Sequence, residues 1–295
     1  MAKASKRTTS RDSLSKHERF EQISPEVGEL DEQAFDDALR EDADEALALL
    51  AEMTTATDPM LRELARRLAG RLSVDLSRRA GSMRRGVGRL ATRRMGDEFA
   101  DIDIDASIDA LLGAGTRLGI DPDEIRVRDW AKPTTAICLV VDRSGSMGGK
   151  PLATAALFAA SVAARQPEDY SVVMFSSEAV AVKSQGSASS TERVVDSLLS
   201  LRGHGTTDLA SALRAASEQL MRSTASRKVT ILLSDCRSTS VEGTVEMASA
   251  LDELFVVAPV GDEDEARKFA ERVGARFAAI DGPSDVPSAF AQLID

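Results

Sequence analysis

Blocks of apolar residues alternate with polar stretches along the second half of the chain. The block Ala136–Val141 holds six apolar residues, is rich in β-branched side chains and stops at Asp142. It is too short for a typical helix, so we predict a strand that is buried on both faces. Val229–Ser234 has a similar character and stops at Asp235. These two blocks therefore predict two central strands of a sheet.

Strand patterns and helix patterns alternate around these two blocks. Such alternation predicts an α/β fold with a doubly wound, mostly parallel sheet and helices on both faces. The short run Ala179–Val182 is expected as one antiparallel edge strand. The other predicted strands are Tyr170–Phe175, Leu254–Ala258 and Arg276–Ile280, and the predicted helices are Pro151–Arg165, Thr191–Leu199, Leu209–Met221, Thr244–Leu251, Glu263–Val273 and a last helix to Leu293.

The patterns divide the whole chain into four parts. Residues 1–30 mix charges with Ser and Thr without a sustained period, which predicts a flexible tail. Residues 31–80 have helical periodicity and predict an α-helical N-terminal region. Residues 81–131 are interpreted as an Arg/Gly-rich connector and lead-in to the α/β domain, which occupies residues 132–295.

Local signals refine the two middle parts. Residues 31–53 predict one helix, and Asp58 followed by Pro59 predicts the start of a second, so that the two form a hairpin. In the connector, Ser107 is expected to cap a short helix, and Ile125–Arg128 alternates like an edge strand. We predict a packing role for Trp130, which is the single tryptophan of the chain.

The sign of the charge reverses within the helical region. Residues 31–53 are acidic, whereas residues 59–96 are rich in arginine. We expect these stretches to pair with each other or with a partner protein; a nucleic-acid-binding arm is the alternative interpretation. The net charge of −11 argues against general nucleic-acid binding, because phosphates would be repelled over most of the surface.

Composition narrows the class of protein further. The chain is 43% hydrophobic but only 4% aromatic, so its core must be aliphatic. No apolar run approaches the roughly 20 residues of a membrane span, and no signal-peptide core follows the basic N-terminus, so we predict a cytoplasmic protein. Cys138 and Cys236 are expected to be small buried residues without a disulfide.

The loop after the first central strand carries the candidate chemistry. Asp142, Ser144 and Ser146 alternate with other residues, so their oxygens can converge on one point, while Gly145 permits a tight backbone. Hard oxygen ligands of this kind suit Mg²⁺, with Mn²⁺ as a possible substitute. Thr207 precedes an amphipathic helix, and Asp235 follows the second central strand.

These residues, in this order, resemble the von Willebrand factor type A (VWA) domain and its metal-ion-dependent adhesion site. The resemblance spans residues 132–295. It implies a Rossmann-like strand order in which the first strand lies beside the strand that ends at Asp235. It also implies that the metal receives its remaining ligand from an Asp or Glu of a partner protein. Ser144, Ser146 and Thr207 would reach the ion, while Asp142 and Asp235 would act largely through water. Cys236 stands where the family often has Gly.

The arrangement of a helical region before such a domain resembles CoxE-like partners of MoxR-type AAA+ ATPases, and also the D subunit of magnesium chelatase. The resemblance implies a non-enzymatic adaptor for an AAA+ ATPase or its client, active in complex assembly or metal insertion. Metal-dependent hydrolysis is the alternative, since an ion with an open position can activate water. A phosphate-binding loop is not expected, because Pro151 occupies the required Ser or Thr position.

Overall fold

The computed structural model describes residues 8–80, 89–94, 101–113, 124–131, 134–144, 149–200, 207–237 and 243–294. The chain forms two compact units. The first combines residues 1–83 with residues 135–295, and the second consists of residues 84–134. The elements in chain order are α1 (Arg11–Leu14), α2 (Phe20–Ile23), α3 (Glu32–Glu41), α4 (Ala43–Met53), α5 (Pro59–Ala80), β1 (Arg89–Arg94), β2 (Asp101–Ile102), α6 (Ile104–Gly113), β3 (Arg126–Ala131), β4 (Thr135–Asp142), α7 (Lys150–Arg165), β5 (Tyr170–Phe175), β6 (Ala179–Lys183), α8 (Thr191–Ser200), α9 (Leu209–Leu220), β7 (Arg227–Leu233), α10 (Thr244–Ser249), β8 (Glu253–Pro259), α11 (Asp264–Val273), β9 (Arg276–Ile280), a 3₁₀ turn (Pro283–Asp285) and α12 (Val286–Ile294).

A six-stranded sheet forms the centre of the first unit, in the order β6-β5-β4-β7-β8-β9. The pairs β4–β5, β4–β7, β7–β8 and β8–β9 are parallel, and β6 pairs antiparallel with β5 at the edge. The predicted α/β fold with one antiparallel edge strand is confirmed. β4 and β7 are neighbours, with Val141 opposite Leu233, as the resemblance implied.

Each face of the sheet is covered by helices through its own aliphatic cluster. On one face, Ile137, Leu139 and Val141 pack with α7 and α12. On the other face, Cys138 and Val140 pack with α9 and α11. Because successive side chains of a strand point to opposite faces, one uninterrupted apolar run serves both clusters.

The N-terminal helices pack against the α/β domain and do not form a separate hairpin. Leu49 and Leu50 of α4 and Leu68 of α5 share one buried cluster with α7 and α8. The face that α7 presents is made of small residues, Ala153, Ala156 and Ala160. Small side chains permit close approach of helices, so α4 and α5 form a further layer on this side of the domain.

The single helix predicted over residues 31–53 is two helices. Asp42 leaves the helical conformation, with φ −142° and ψ 95°, and its side chain accepts a hydrogen bond from the backbone N–H of Glu45. It therefore caps α4 in the same way as Asp31 caps α3. The predicted start of α5 is confirmed, because Asp58 Oδ1 accepts from the N–H of Met60.

The prediction of a flexible tail is wrong for residues 8–30; residues 1–7 lie outside the described part of the chain. Leu14, Phe20 and Ile23 are buried in the same cluster as α4 and α5. Arg11 donates to Ser24 Oγ and to the carbonyl of Glu26, which ties the two ends of this segment together. Burial of three large side chains offsets the entropy lost on ordering the segment.

The second unit corrects the interpretation of residues 81–131 as a connector. It contains a three-stranded antiparallel sheet in the order β1-β3-β2, with α6 following β2. The strand predicted near residues 125–128 exists as β3, but it is the central strand and not an edge strand. Ser107 does not cap α6: it lies inside the helix, and its Oγ donates to the carbonyl of Arg126. The side chain of Trp130 lies outside the described residues, and its role stays a prediction.

The expected pairing of the acidic and arginine-rich stretches is confirmed for one ion pair. Arg71 Nη2 lies 2.6 Å from Glu32 Oε2. Arg66 instead lies 3.6 Å from Asp196 of α8, and Arg67 pairs with Glu63 on its own helix. The arginines from Arg78 onward within the run lie outside the described side chains. In this region the described ion pairs are intramolecular. They are largely exposed, so each contributes little to the stability of the fold.

His17 joins the N-terminal segment to α4. Its Nδ1 lies 2.8 Å from Glu45 Oε1 and its Nε2 3.3 Å from Glu52 Oε2. Burial lowers the pKa of His17, but the hydrogen bonds and charges of Glu45 and Glu52 outweigh that effect, so the pKa lies above its ordinary value of 6.5. The protonated ring therefore favours the folded state.

We predict that His17→Gln loses stability in a pH-dependent way. The stabilisation is fully present below the unfolded pKa of 6.5 and is lost as the pH rises through the higher folded pKa. In chemical denaturation near pH ~6, the free energy of unfolding of the variant should be lower than that of the parent by less than about 1 kcal/mol. The difference should disappear by pH ~9. Glu45→Gln with Glu52→Gln should reproduce the pH dependence; a deficit that is constant with pH would contradict the assignment.

Candidate functional site

The site lies where β4 and β7 end at the same edge of the sheet. Asp142 is the last residue of β4, and Asp235 follows β7 by two residues. Both side chains are buried, with 1% and 5% exposure. Because the two strands are parallel neighbours, their carboxyl ends meet, which is where α/β folds bind ligands.

The carboxylate of Asp142 is held by neutral donors. Its Oδ1 accepts from the backbone N–H of Ser144 at 2.7 Å, and its Oδ2 accepts from Ser234 Oγ at 2.7 Å. The first bond shapes the loop that carries the predicted serines. The second links the end of β4 to the end of β7 across the sheet.

Ser234 is a site residue that the sequence interpretation missed. Its Oγ donates to Asp142 and also accepts from the N–H of Cys236 at 2.9 Å. The interpretation took Ser234 as the last residue of a strand. A hydroxyl that directly precedes a strand-ending Asp was the available signal.

Cys236, which stands where the family often has Gly, lies in the turn after β7. Cys236 has φ +56°, in the left-handed region that favours Gly, and it is the only non-Gly residue with positive φ among the described residues. Asp235 Oδ1 accepts from the N–H of Arg237 at 3.0 Å, which stabilises the turn. The chain thus keeps the backbone shape that a Gly would take. Both cysteines are buried and free, as predicted.

The hydrogen bonds of Asp208 place its neighbour Thr207 at the same edge of the sheet. Asp208 caps α9 by accepting from the N–H of Ser211, and its own N–H donates to the carbonyl of Ser176 at 2.7 Å. Ser176 follows β5, whose last residue is paired with Asp142. Thr207 itself is buried, with 6% exposure.

The five predicted ligands are therefore placed unequally. Asp142, Asp235 and Thr207 are buried at one edge of the sheet, and Ser144 is half-buried on the loop beside them. Ser146 lies outside the described residues. The role of the five residues as metal ligands stays a prediction.

Burial and charge make this edge suited to a cation. Burial raises the pKa of Asp142, and the nearby Asp235 raises it further, while the donors Ser234 and Ser144 act in the opposite direction. Within the described part of the chain no cation forms an ion pair with Asp142. A buried carboxylate beside a second one is costly without a positive partner. The residues present therefore fit a divalent ion.

The donor set also limits which ion fits. No group of three or more His, Cys, Asp or Glu side chains suited to a metal occurs among the residues that the structure describes. Two carboxylates with hydroxyl oxygens suit Mg²⁺ or Mn²⁺.

Two cations flank the loop. Arg143 donates from Nη2 to Ser176 Oγ at 3.3 Å, while its Nε is buried without a partner among the described atoms. Burial lowers the pKa of Arg143. Lys150 begins α7 on the other side of the loop. Arg143 and Lys150 are thus the cations nearest in sequence to the predicted ligands of the loop.

The family comparison agrees with the fold. The family model of the von Willebrand factor type A domain matches residues 136–278. These residues form a VWA domain. Domains of this type often mediate protein–protein interaction or adhesion. No curated protein matches the chain.

Several solved structures resemble the VWA domain at low sequence identity. The conserved hypothetical protein BatB from Bacteroides thetaiotaomicron is 14% identical, with a TM-score of 0.45, and the match covers 55% of this chain and 97% of that one. A VWA protein from Catenulispora acidiphila is 18% identical, with a TM-score of 0.44, over 56% and 43% of the two chains. The pilus adhesin SpaC from Lactobacillus rhamnosus GG is 18% identical, with a TM-score of 0.42, over 56% and 30%.

Among the described residues, no helix is both long enough and apolar enough to cross a bilayer. The cytoplasmic location of the VWA protein stays a prediction.

We predict that Ser234→Ala destabilises the VWA domain. The change leaves an oxygen of Asp142 and the N–H of Cys236 without their partner in a buried place. Each such loss costs about 1–3 kcal/mol, so the free energy of unfolding should fall by about 2 kcal/mol or more in urea denaturation. Ser249→Ala, on an exposed helix position, is the matched control and should change it by less than about 0.5 kcal/mol. Equal effects of the two changes would contradict the role of Ser234.

Proposed function

We propose that the VWA domain is a Mg²⁺-dependent protein-interaction module that binds a carboxylate of a partner protein. The observation that carries the proposal is the pair of buried carboxylates, Asp142 and Asp235, at the ends of adjacent parallel strands. Asp142 is surrounded by neutral donors and by Asp235, so a positive group is missing from its described surroundings.

Ser144, Ser146 and Thr207 would hold the ion through neutral hydroxyl oxygens, with Asp142 and Asp235 behind them. Neutral ligands leave the ion with more positive charge than a cage of carboxylates would. When bound, Mg²⁺ or Mn²⁺ would supply a compact positive charge that attracts an Asp or Glu side chain. The fixed hydrogen bonds from Ser234 and from the Ser144 N–H keep Asp142 oriented toward this task.

The charges near the site support an acidic partner. The whole chain carries a net charge of −11, yet Arg143 and Lys150 stand on either side of the metal loop. Neither forms an ion pair with a described carboxylate. Such a local positive rim steers an acidic segment to this edge and repels basic ones.

The proposed partner is a MoxR-type AAA+ ATPase or its client, in protein complex assembly or metal insertion. Support comes from the resemblance in organisation, a helical region ahead of a VWA domain. The packing of α4 and α5 on α7 and α8 adds a physical reason, because the helical layer adjoins the helix that follows the metal loop. Glu52 of α4 comes within 3.2 Å of where a Cβ of Gly149 would lie. The helical layer therefore reaches Gly149, at the end of the metal loop.

We expect the full chain to bind Mg²⁺ and Mn²⁺, and Asp142→Ala to lose that binding while the fold persists. The substitution removes a carboxylate that orients the loop and balances the ion. Isothermal calorimetry should show at least a tenfold loss, about 1.4 kcal/mol. Asp252→Ala, an exposed Asp at the opposite end of the sheet, is the control and should bind as the parent does. An unchanged affinity of Asp142→Ala for Mg²⁺ and Mn²⁺ would contradict the assignment of Asp142 to a metal site.

We also expect Ser144→Ala with Ser146→Ala to lose capture of a purified MoxR-type AAA+ ATPase, as should addition of EDTA to the parent. Loop hydroxyls outside the core can be removed without unfolding the domain. The readouts are pull-down and the ATPase rate of the partner. Ser187→Ala with Ser249→Ala, both exposed, provides a matched double variant. Capture that persists in the loop variant and in EDTA would show that docking occurs elsewhere.

A further inference from the structure

A cavity of about 230 Å³ lies beside the candidate metal site. It sits between the first turn of α7 and the carboxyl ends of β7, β8 and β9. Its walls are mostly apolar, including Pro151, Leu233, Val257 and Ile280. The proposed binding of a metal ion and of a partner carboxylate does not involve this cavity.

The cavity and the metal site share a wall. Ser234 lines the cavity, and its Oγ donates to Oδ2 of Asp142. Lys150 and Pro151, also in the lining, belong to the helix that follows the metal loop. The cavity and the candidate metal site are therefore adjacent, with Ser234 between them.

The size and polarity of the cavity indicate what fits. An apolar cavity of about 150 Å³ accepts a benzene-sized group, whereas sites for drug-sized ligands start near 300 Å³. At about 230 Å³ the cavity is large enough for one branched aliphatic side chain and too small for a nucleotide or large cofactor. Val260 at the rim is 54% exposed, so the apolar surface continues outside.

The charge at the cavity adds a preference for acidic neighbours. Lys150 lines the cavity, starts a 16-residue helix and forms no ion pair with a described residue. The ammonium group and the positive end of the helix dipole favour a nearby carboxylate. Asp281, also in the lining, is exposed and disfavours a strongly acidic segment on the β9 side.

We propose that the cavity receives a leucine-like side chain of a partner segment, directly next to the Asp or Glu that binds at the metal site. The partner is thus recognised by an adjacent pair of residues, one aliphatic and one acidic, and not by the carboxylate alone. This inference rests on the proposed function for the acidic half of the pair. The aliphatic half rests on the cavity itself.

Blocked tetrapeptides test the proposal on the full chain with saturating Mg²⁺. Two of them place leucine before or after aspartate, and matched peptides replace leucine with alanine or aspartate with asparagine. Binding is followed by NMR titration of backbone amides. For at least one order, the leucine peptide should bind about tenfold more tightly than its alanine counterpart, the effect of burying most of one leucine.

The variant Val260→Phe distinguishes binding in the cavity from nonspecific hydrophobic binding elsewhere on the surface. A larger ring at an exposed rim position narrows the mouth without disturbing the core, and the leucine-to-alanine ratio should fall to at most about twofold. Val180→Phe, at a position on β6 that is 47% exposed, is the control and should keep the full ratio. Lys150→Glu should weaken the aspartate peptides while leaving the asparagine peptides unchanged.

The outcomes distinguish this inference from the metal proposal. A leucine-to-alanine ratio near one, with a retained difference between aspartate and asparagine, would overturn the cavity proposal alone. A retained leucine preference without any aspartate preference would overturn the metal docking and the paired recognition, and would leave only an aliphatic site. Free isovalerate that binds as tightly as the leucine peptide would identify a small-acid site and overturn a protein partner.

Discussion

The parallel pairing of β4 with β7 is the constraint on which the site depends. Only strands that run in the same direction bring both carboxyl ends to one edge, and this pairing places Asp142 and Asp235 there together. The two apolar runs that form the pair are buried on both faces, so a shift of register would expose aliphatic side chains. Core packing therefore fixes the distance between two carboxylates whose mutual repulsion opposes that arrangement. The hydroxyl of Ser234 offsets part of the cost at the point where the strands end.

The packing of the helical layer depends on the small side chains of α7. Alanine at positions 153, 156 and 160 makes one side of α7 nearly smooth, and α4 and α5 occupy it. The hydrogen bonds from Ser284 to Asp44 hold the start of α4 against the 3₁₀ turn that follows β9. As a result the boundary expected at residue 132 does not mark an independent folding unit, since residues 8–80 share a buried cluster with the VWA domain.

Residues with a strong period or a fixed spacing were predictable from the sequence, and residues held by tertiary contacts were not. The sheet, its edge strand and the ends of β4 and β7 follow from apolar runs and turn chemistry. Leu14, Phe20 and Ile23 fit no helical or strand period, so only their contacts with α4 and α5 reveal that they are buried. Asp42 was counted as part of a helix because its local composition is helical; its capping bond to Glu45 decides otherwise. In the site, a spacing motif identified the candidate ligands, whereas Ser234 acts through Asp142, a neighbour that is distant in sequence.

The first unit is built from two stretches of chain that are separated by the whole of the second unit. During synthesis, the apolar side of α4 and α5 is complete long before α7 and α8 exist to cover it. Chains emerge at about 5–20 residues per second, so this surface stays uncovered for several seconds at least. The apolar side of the N-terminal helices is thus uncovered during synthesis, and the order of the chain, more than its final stability, sets the moment at which that surface is most exposed to aggregation.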